Sequence, residues 1–121
     1  MNAHADDTDE AKERKDRIYS EILVDAYDFH EQALGWYYHL ERKLSFPFEA
    51  RCVRKRPVSP LRTGETVRAT GLPGEESCMD EMFVTIDWDD RTLGVPLSQL
   101  EGIDIDAEAQ QSIADWKYWN G

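Results

Sequence analysis

The sequence predicts an α+β fold in which a small five-stranded, SH3-like antiparallel barrel or sheet is covered by N-terminal helices and a C-terminal helix. Three observations lead to this prediction. Apolar residues recur at helical spacing near both ends of the chain, they alternate with polar residues in its middle, and the change from one pattern to the other falls within residues 29–48. With 121 residues, of which 40% are hydrophobic, the chain can fill one core and is too short for two.

The N-terminal segment is acidic and shows no periodicity. We therefore expect residues 1–10 to form a disordered tail and residues 11–121 to form a single domain. From Glu10 onward residues that favour helices dominate, and apolar residues share one face. This pattern predicts a first helix over residues 10–25.

The second helix has clear start and stop signals. Asp28 and Glu31 have the spacing of a capping box, so the helix is expected to begin at Phe29. It should end near Leu44, because Pro47 disfavours helical backbone in the residue before it. One tryptophan and two tyrosines in consecutive positions indicate that this helix covers a large apolar surface.

Alternation of apolar and polar residues predicts the sheet. Asp89 and Asp90 are expected to form a two-residue hairpin turn. A basic loop, residues 54–62, contains two prolines and should be irregular, and residues 96–101 should form one helical turn. The strands are predicted at residues 46–52, 65–70, 82–88, 91–97 and, as a short closing strand, 103–105.

The last helix is expected to be capped by Asp106. Ala109, Ile113 and Trp116 would then form its buried stripe, and Trp119 would anchor its end.

Charge limits the partners of the protein. The formal net charge is -11, and nucleic acids are bound by neutralising phosphates with Lys and Arg, so we expect no nucleic-acid partner. An acidic surface attracts cations and basic proteins instead. The basic loop is expected to pair with acids of the same chain or to stay solvated.

Targeting signals and redox motifs are missing from the sequence. Cys52 and Cys78 are too far apart for a C-x-x-C motif, and the N-terminus has no apolar segment typical of a signal peptide. No apolar run is long enough to cross a membrane. We therefore predict a cytoplasmic protein that does not associate with membranes.

Known catalytic motifs are also missing, so the protein is not expected to be an enzyme. His39 and Glu41 have the H-x-E spacing of zinc deaminases, but the P-C-x-x-C partner motif does not occur. His30 and His39 are expected to be partly exposed helix histidines.

Carboxylates are the most abundant reactive groups. Ca²⁺ prefers about 6 to 8 oxygen ligands, which clustered Asp and Glu can supply. An EF-hand loop beginning at Asp104 is disfavoured, because Ala109 stands where glycine is needed and Asp115 where a bidentate Glu is usual. Two clusters are better candidates: Asp25, Asp28 and Glu31 between the first two helices, and Glu75, Glu76, Asp80 and Glu81 before the third strand.

Seven short motifs in order resemble the small bacterial, non-EF-hand calcium-binding family typified by a protein of heterocyst-forming cyanobacteria. The similarity begins near residue 15 and covers almost all of the chain after it. The motifs are Glu21-Ile-Leu-Val-Asp-Ala-Tyr27, Gly35-Trp-Tyr-Tyr, Phe46-Pro-Phe, Ser59-Pro-Leu, Cys78-Met-Asp-Glu-Met82, Val95-Pro-Leu-Ser-Gln-Leu100 and Asp115-Trp-Lys-Tyr-Trp119.

This resemblance implies a cytoplasmic protein that binds Ca²⁺ reversibly, buffers or sequesters it, and catalyses no reaction. Family members often continue the Trp-Tyr-Tyr helix with two adjacent acids, whereas Arg42 follows Glu41 here, and a positive charge beside a ligand should weaken a calcium site. We expect carboxylates of the second helix to combine with those of the acidic loop. The predicted calcium ligands are Asp25, Asp28, Glu31, Glu41, Asp80 and Glu81.

The alternative hypothesis is an SH3-like protein interaction module without a metal. It would bind a basic or proline-rich partner through an exposed patch containing Trp36, Tyr37 or Phe83. It requires these aromatic side chains to be exposed.

Overall fold

The protein is represented by a computed structural model that describes residues 8–121. The first seven residues of the predicted tail lie outside the described residues. Three helices and five strands alternate with short π- and 3₁₀-helical turns. They are α1 (Asp9–Arg17), α2 (Phe29–Lys43), β1 (Phe48–Cys52), β2 (Thr66–Gly71), β3 (Phe83–Trp88), β4 (Arg91–Pro96), β5 (Leu100–Ile103) and α3 (Ala107–Asn120).

The first helix is shorter than predicted at its C-terminal end. It begins at Asp9, where the Thr8 hydroxyl caps it by accepting a hydrogen bond from the Ala11 amide at 3.0 Å. It continues into a π-helical turn, Ile18–Ile22, and stops there. The predicted helix over residues 10–25 ran too far because Asp25 has a φ of 57°, a left-handed conformation that does not continue a helix.

One antiparallel sheet contains all five strands in the order β4-β3-β2-β1-β5. The α+β prediction is therefore confirmed. The sheet is open, with β4 and β5 at its two edges. Its predicted likeness to an SH3 fold stays a prediction. The single 3₁₀ turn before the last strand, Leu97–Gln99, lies where one helical turn was predicted.

The ends of β1 and β5 differ from the predicted ones, because the alternation of side chains does not show which residues pair with a neighbouring strand. β1 begins at Phe48, two residues later than predicted, and Phe46 instead stacks on Phe48 with ring centroids 5.5 Å apart. β5 pairs Leu100 with Cys52 and Ile103 with Glu49, so it precedes the predicted closing strand at residues 103–105. Asp104, with a φ of 55°, ends it.

The hairpin turn is confirmed. Asp89 and Asp90 have φ values of 49° and 63°, and two left-handed residues are characteristic of the turn whose twist matches a β-hairpin. The turn connects β3 and β4, which stay in register from Trp88 paired with Arg91 to Phe83 paired with Pro96.

The hydrophobic core lies between the inner face of the sheet and the helices. Ala50, Ala69, Val84 and Ile86 are fully buried on the strands, as their alternation predicts. Above them, Trp36 of α2 packs edge-on against Trp116 of α3, with ring centroids 5.3 Å apart. This contact joins the two long helices. Within residues 8–121, none of the helices is long and apolar enough to cross a membrane.

A buried carboxylate attaches α1 to α3. Asp115 is 1% exposed and accepts hydrogen bonds from Arg17 at 2.9 and 2.7 Å, and Arg14 lies 3.0 Å from it. The hydrogen bond to Asp115 raises the pKa of Arg17. Two guanidinium groups compensate the charge of a carboxylate that would be costly to bury alone.

Gly35 permits the close approach of α2 to the π-helical turn. A Cβ atom at this position would lie 2.6 Å from the carbonyl oxygen of Ile22. Because that atom belongs to the backbone, it cannot move aside as a flexible side chain could. The glycine is therefore required by packing, although glycine is a poor helix former.

We expect Gly35→Ala to destabilise the fold by about 1 to 3 kcal/mol, the usual cost of overpacking, despite the better helix propensity of alanine. Urea denaturation measures the free energy of unfolding. Gly94→Ala is the matched control, since its Cβ would lie 3.9 Å from the Phe83 ring and the change should be neutral or stabilising. A Gly35→Ala protein as stable as the control would contradict the proposed packing constraint.

Candidate metal centre

Two consecutive tyrosines of α2 hold the acidic loop, which we define as residues 74–81 with its 3₁₀ turn Glu75–Cys78. The Tyr37 hydroxyl donates a hydrogen bond to the Pro73 carbonyl oxygen at 2.6 Å. The Tyr38 hydroxyl donates one to the Glu75 carboxylate. The loop thus lies against one side of the helix.

Glu41 of α2 and Glu75 and Glu76 of the loop all act electrostatically on the Tyr37 hydroxyl, and we call these three residues the acidic seam. Burial raises the pKa of Tyr37, and electrostatic interactions with Cys78 and with all three seam residues raise it further. The hydrogen bond to Glu75 raises the pKa of Tyr38. In the described part of the chain, no Lys or Arg pairs with a seam carboxylate.

Arg42 lies on a different side of α2 from Glu41. It lines a groove with Asp106 and Glu108 at the start of α3, and its charge acts on His39. Successive residues of a helix are about 100° apart, so neighbours in sequence can face different elements. The positive charge of Arg42 therefore lies in the groove at the start of α3.

Glu81 is neutralised by the basic loop. Arg56 donates two hydrogen bonds to its carboxylate, at 3.0 and 2.7 Å, and another to the Ser98 hydroxyl at 2.9 Å. The basic loop was predicted either to pair with acids of the same chain or to stay solvated. At Arg56 it pairs with an acid of the same chain. The neighbouring Asp80 is exposed and pairs with no Lys or Arg among residues 8–121.

The acids between α1 and α2 shape the start of the second helix. The Asp28 carboxylate accepts a hydrogen bond from the Glu31 amide at 2.8 Å, so the predicted cap is present. Glu31 accepts from the amide of Tyr27 at 3.1 Å and not from that of Asp28, so the second half of the capping box is displaced by one residue. Asp25 accepts a long hydrogen bond, 3.4 Å, from the Tyr27 hydroxyl.

The six predicted ligands therefore fall into three separate places: the helix junction, the seam, and the pair Asp80 and Glu81. Across residues 8–121, no three His, Cys, Asp or Glu side chains are close enough together to hold a metal ion. Glu41 acts on Tyr37 together with Glu75 and Glu76 of the acidic loop. The sequence groups Glu75 and Glu76 with Asp80 and Glu81, but Glu75 and Glu76 were not among the predicted ligands. The positions of Tyr37 and Tyr38 on α2 were the feature of the sequence that could have indicated Glu75 and Glu76 as candidate ligands.

The sequence and the fold of this chain are both similar to those of known proteins. A model of the CcbP family, described as calcium binding, matches residues 16–120. The chain belongs to the CcbP family. No curated protein matches the sequence.

Two solved structures of CcbP-type proteins share the fold. One is the crystal structure of Anabaena CcbP, which is 38% identical, with a TM-score of 0.78 and coverage of 89% of each chain. The other is a calcium-binding protein in its calcium-binding form, with the same identity and coverage and a TM-score of 0.79. The predictions of a non-EF-hand calcium-binding family and of Ca²⁺ as the ion are therefore confirmed.

The alternative interaction module is not favoured by membership of the CcbP family, and its proposed patch does not form. Trp36 and Tyr37 are buried, and Phe83 is only partly exposed.

One further expectation about this CcbP-family chain was wrong. His30 is exposed, but His39 is 4% exposed, and its Nε2 atom lies 3.2 Å from the Ser112 hydroxyl of α3. Helical spacing alone did not show that this side of α2 is covered by α3. Burial lowers the pKa of His39, and the nearby charges of Arg42 and Lys43 lower it further, whereas Asp115 and Glu21 oppose the change.

The lowered pKa of His39 predicts that stability falls on acidification. The unfolded chain binds a proton near the ordinary histidine pKa of about 6.5, while the folded protein resists it, so the free energy of unfolding should decrease as the pH falls from about 7.5 to 5.5. His39→Gln can still hydrogen-bond to Ser112 but does not titrate, and it should reduce this dependence. Urea denaturation at several pH values measures the effect.

The exposed His30→Gln is the matched control for loss of a histidine and should behave like the unaltered protein. Equal pH dependence in the His39→Gln and His30→Gln proteins would rule out the assignment to His39.

Proposed function

We propose that this chain is a cytoplasmic protein that buffers or sequesters Ca²⁺ and that the acidic seam is its principal binding site. The observation that carries the proposal is that three carboxylates from two elements act on the same Tyr37 hydroxyl, while no Lys or Arg among the described residues pairs with them. Glu41 comes from α2, and Glu75 and Glu76 come from the acidic loop. A divalent cation placed among them would be attracted by all three negative charges.

The donor chemistry of the seam fits Ca²⁺, which prefers carboxylate and carbonyl oxygens in flexible arrangements. Glu41 and Glu76 are exposed and Glu75 is half-buried, so the ion could reach them directly. The three carboxylates do not form a complete cage, and binding would draw the short 3₁₀ turn toward α2. A surface site of this kind suits reversible binding, which buffering requires.

The other predicted ligands are proposed as weaker sites. Ca²⁺ at Asp80 and Glu81 would have to compete with the Arg56 guanidinium for Glu81. At the helix junction it would compete with the amide hydrogen bonds that Asp28 and Glu31 already accept. These costs place both locations below the seam in expected affinity.

The remaining features of the proposal follow from charge. A net charge of -11 disfavours binding to nucleic acid and favours a basic protein partner. We propose no catalytic step, because calcium binding of this kind needs only oxygen ligands.

Calorimetric titration tests the proposed site. Ca²⁺ should bind saturably and in preference to Mg²⁺ at matched ionic strength, since Mg²⁺ demands a more regular geometry. Glu41→Gln and Glu75→Gln should each weaken the calcium affinity by about tenfold, equivalent to about 1.4 kcal/mol.

The control for these variants is Glu49→Gln, which removes the same charge from the exposed face of β1. If all three variants lose affinity equally, the ion is attracted by net charge and not held at the seam. A flat titration would overturn calcium binding itself.

Calcium should also stabilise the folded protein. At a free concentration a hundredfold above the dissociation constant, a ligand that binds only the folded state adds about 2.7 kcal/mol to the free energy of unfolding. Thermal denaturation with and without Ca²⁺ measures this gain, which Glu41→Gln should reduce and Glu49→Gln should retain. The same concentration of Mg²⁺ serves as the control for ionic screening.

A further inference from the structure

A cleft of about 450 Å³ lies between the first half of α2, the end of α3 and the acidic loop. This volume falls in the range of ligand-binding pockets. Its aromatic walls are formed by Phe29, Trp36, Trp116 and Trp119. Phe29 is 89% exposed, which leaves a large apolar ring in water at the mouth of the cleft.

Two hydrogen-bond donors of the cleft residues have no acceptor within the described part of the chain. The indole N–H groups of Trp36 and Trp116 are buried and unpaired, although these side chains are only 1% and 4% exposed. A buried tryptophan usually finds an acceptor for this group. Two such donors in residues lining one cleft favour a ligand that brings carbonyl oxygens.

The cleft is also lined by two negatively charged side chains. Asp80 lines the cleft, is exposed and has no cationic partner among the described residues. Glu81 beside it already binds the guanidinium of Arg56 in a bidentate arrangement. The wall therefore accepts one arginine from its own chain and retains one unneutralised carboxylate.

We propose that this cleft binds an extended, apolar peptide segment of a basic partner protein through a Lys or Arg side chain. The cation would contact Asp80 while its aliphatic stem and charge lie against the aromatic rings, a favourable cation–π arrangement. The backbone carbonyl groups of the segment would accept from the two indole donors after a rotation of the rings that exposes these buried N–H groups to the cleft. Flanking apolar side chains would cover Phe29 and the rim.

The observations favour a peptide over a small organic cation, because a free cation supplies no carbonyl oxygens. They also favour a basic partner over a purely apolar one, because an apolar ligand would leave Asp80 to be desolvated without a counter-charge. The net charge of -11 would attract such a partner over a distance set by ionic strength. This inference goes beyond calcium binding and does not rest on it.

Nuclear magnetic resonance of the full chain in the presence of a calcium chelator tests the proposal. The probe is the acetylated, amidated peptide Gly-Leu-Arg-Leu-Gly. The indole N–H signals of Trp36 and Trp116 should shift saturably, whereas that of Trp88, on β3 outside the cleft, should not. The same peptide with citrulline in place of arginine keeps the shape without the charge and should bind about tenfold more weakly.

Matched variants assign the binding to the cleft. Phe29→Ser and Asp80→Asn should each weaken binding several-fold without affecting folding, since both positions are exposed. Tyr27→Ser and Asp87→Asn are the controls, because they remove an 84% exposed aromatic ring and an exposed carboxylate that do not line the cleft.

Three results would overturn the proposal: no saturable shift, equal binding of the arginine and citrulline peptides, or equal loss in the test and control variants. Equal affinity for agmatine, which carries the guanidinium group and no carbonyl oxygen, would show a small-cation site instead. The calcium titration of the same samples is independent, so failure of one proposal does not imply failure of the other.

Discussion

The rotation of α2 about its own axis is the constraint on which the rest of the structure depends. Trp36 fixes it by packing against Trp116 of α3. With this contact in place, Tyr37 and Tyr38 must face the acidic loop, and Glu41 lies one turn beyond them on the same side. His39 and Arg42 are directed to α3. One aromatic contact in the core thus determines which charges of the helix can act together.

The fold was largely predictable because its signals are local. Asp28 and Asp106 cap their helices through amides three residues ahead, and Asp89 and Asp90 make their turn with their own backbone. Errors arose where distant residues decide. The position of β5 is set by pairing with β1, some fifty residues earlier, and the burial of His39 is set by Ser112. Neither contact leaves a local pattern in the sequence.

The candidate site was predictable only in part, for the same reason. The sequence identified Glu41 and the acidic loop, but it could not show that Glu81 is already paired with Arg56, which lies 25 residues earlier in the chain. An acidic residue that sequence alone counts as a possible ligand is in some cases a partner in an internal ion pair, as Asp115 is with Arg14 and Arg17. Composition gives the surplus of negative charge, and tertiary contacts decide how much of it remains for a cation.

Gly35 has a consequence for how the sequence can change. A Cβ atom at position 35 would overlap the Ile22 carbonyl oxygen. A side chain can therefore be added at this position only if the π-helical turn changes as well. A larger residue at position 35 would be accepted only together with a change that turns that carbonyl away, such as loss of the π-helical turn. Positions 22 and 35 therefore constrain each other, and α2 placed in a scaffold without residues 18–22 would no longer require glycine at position 35.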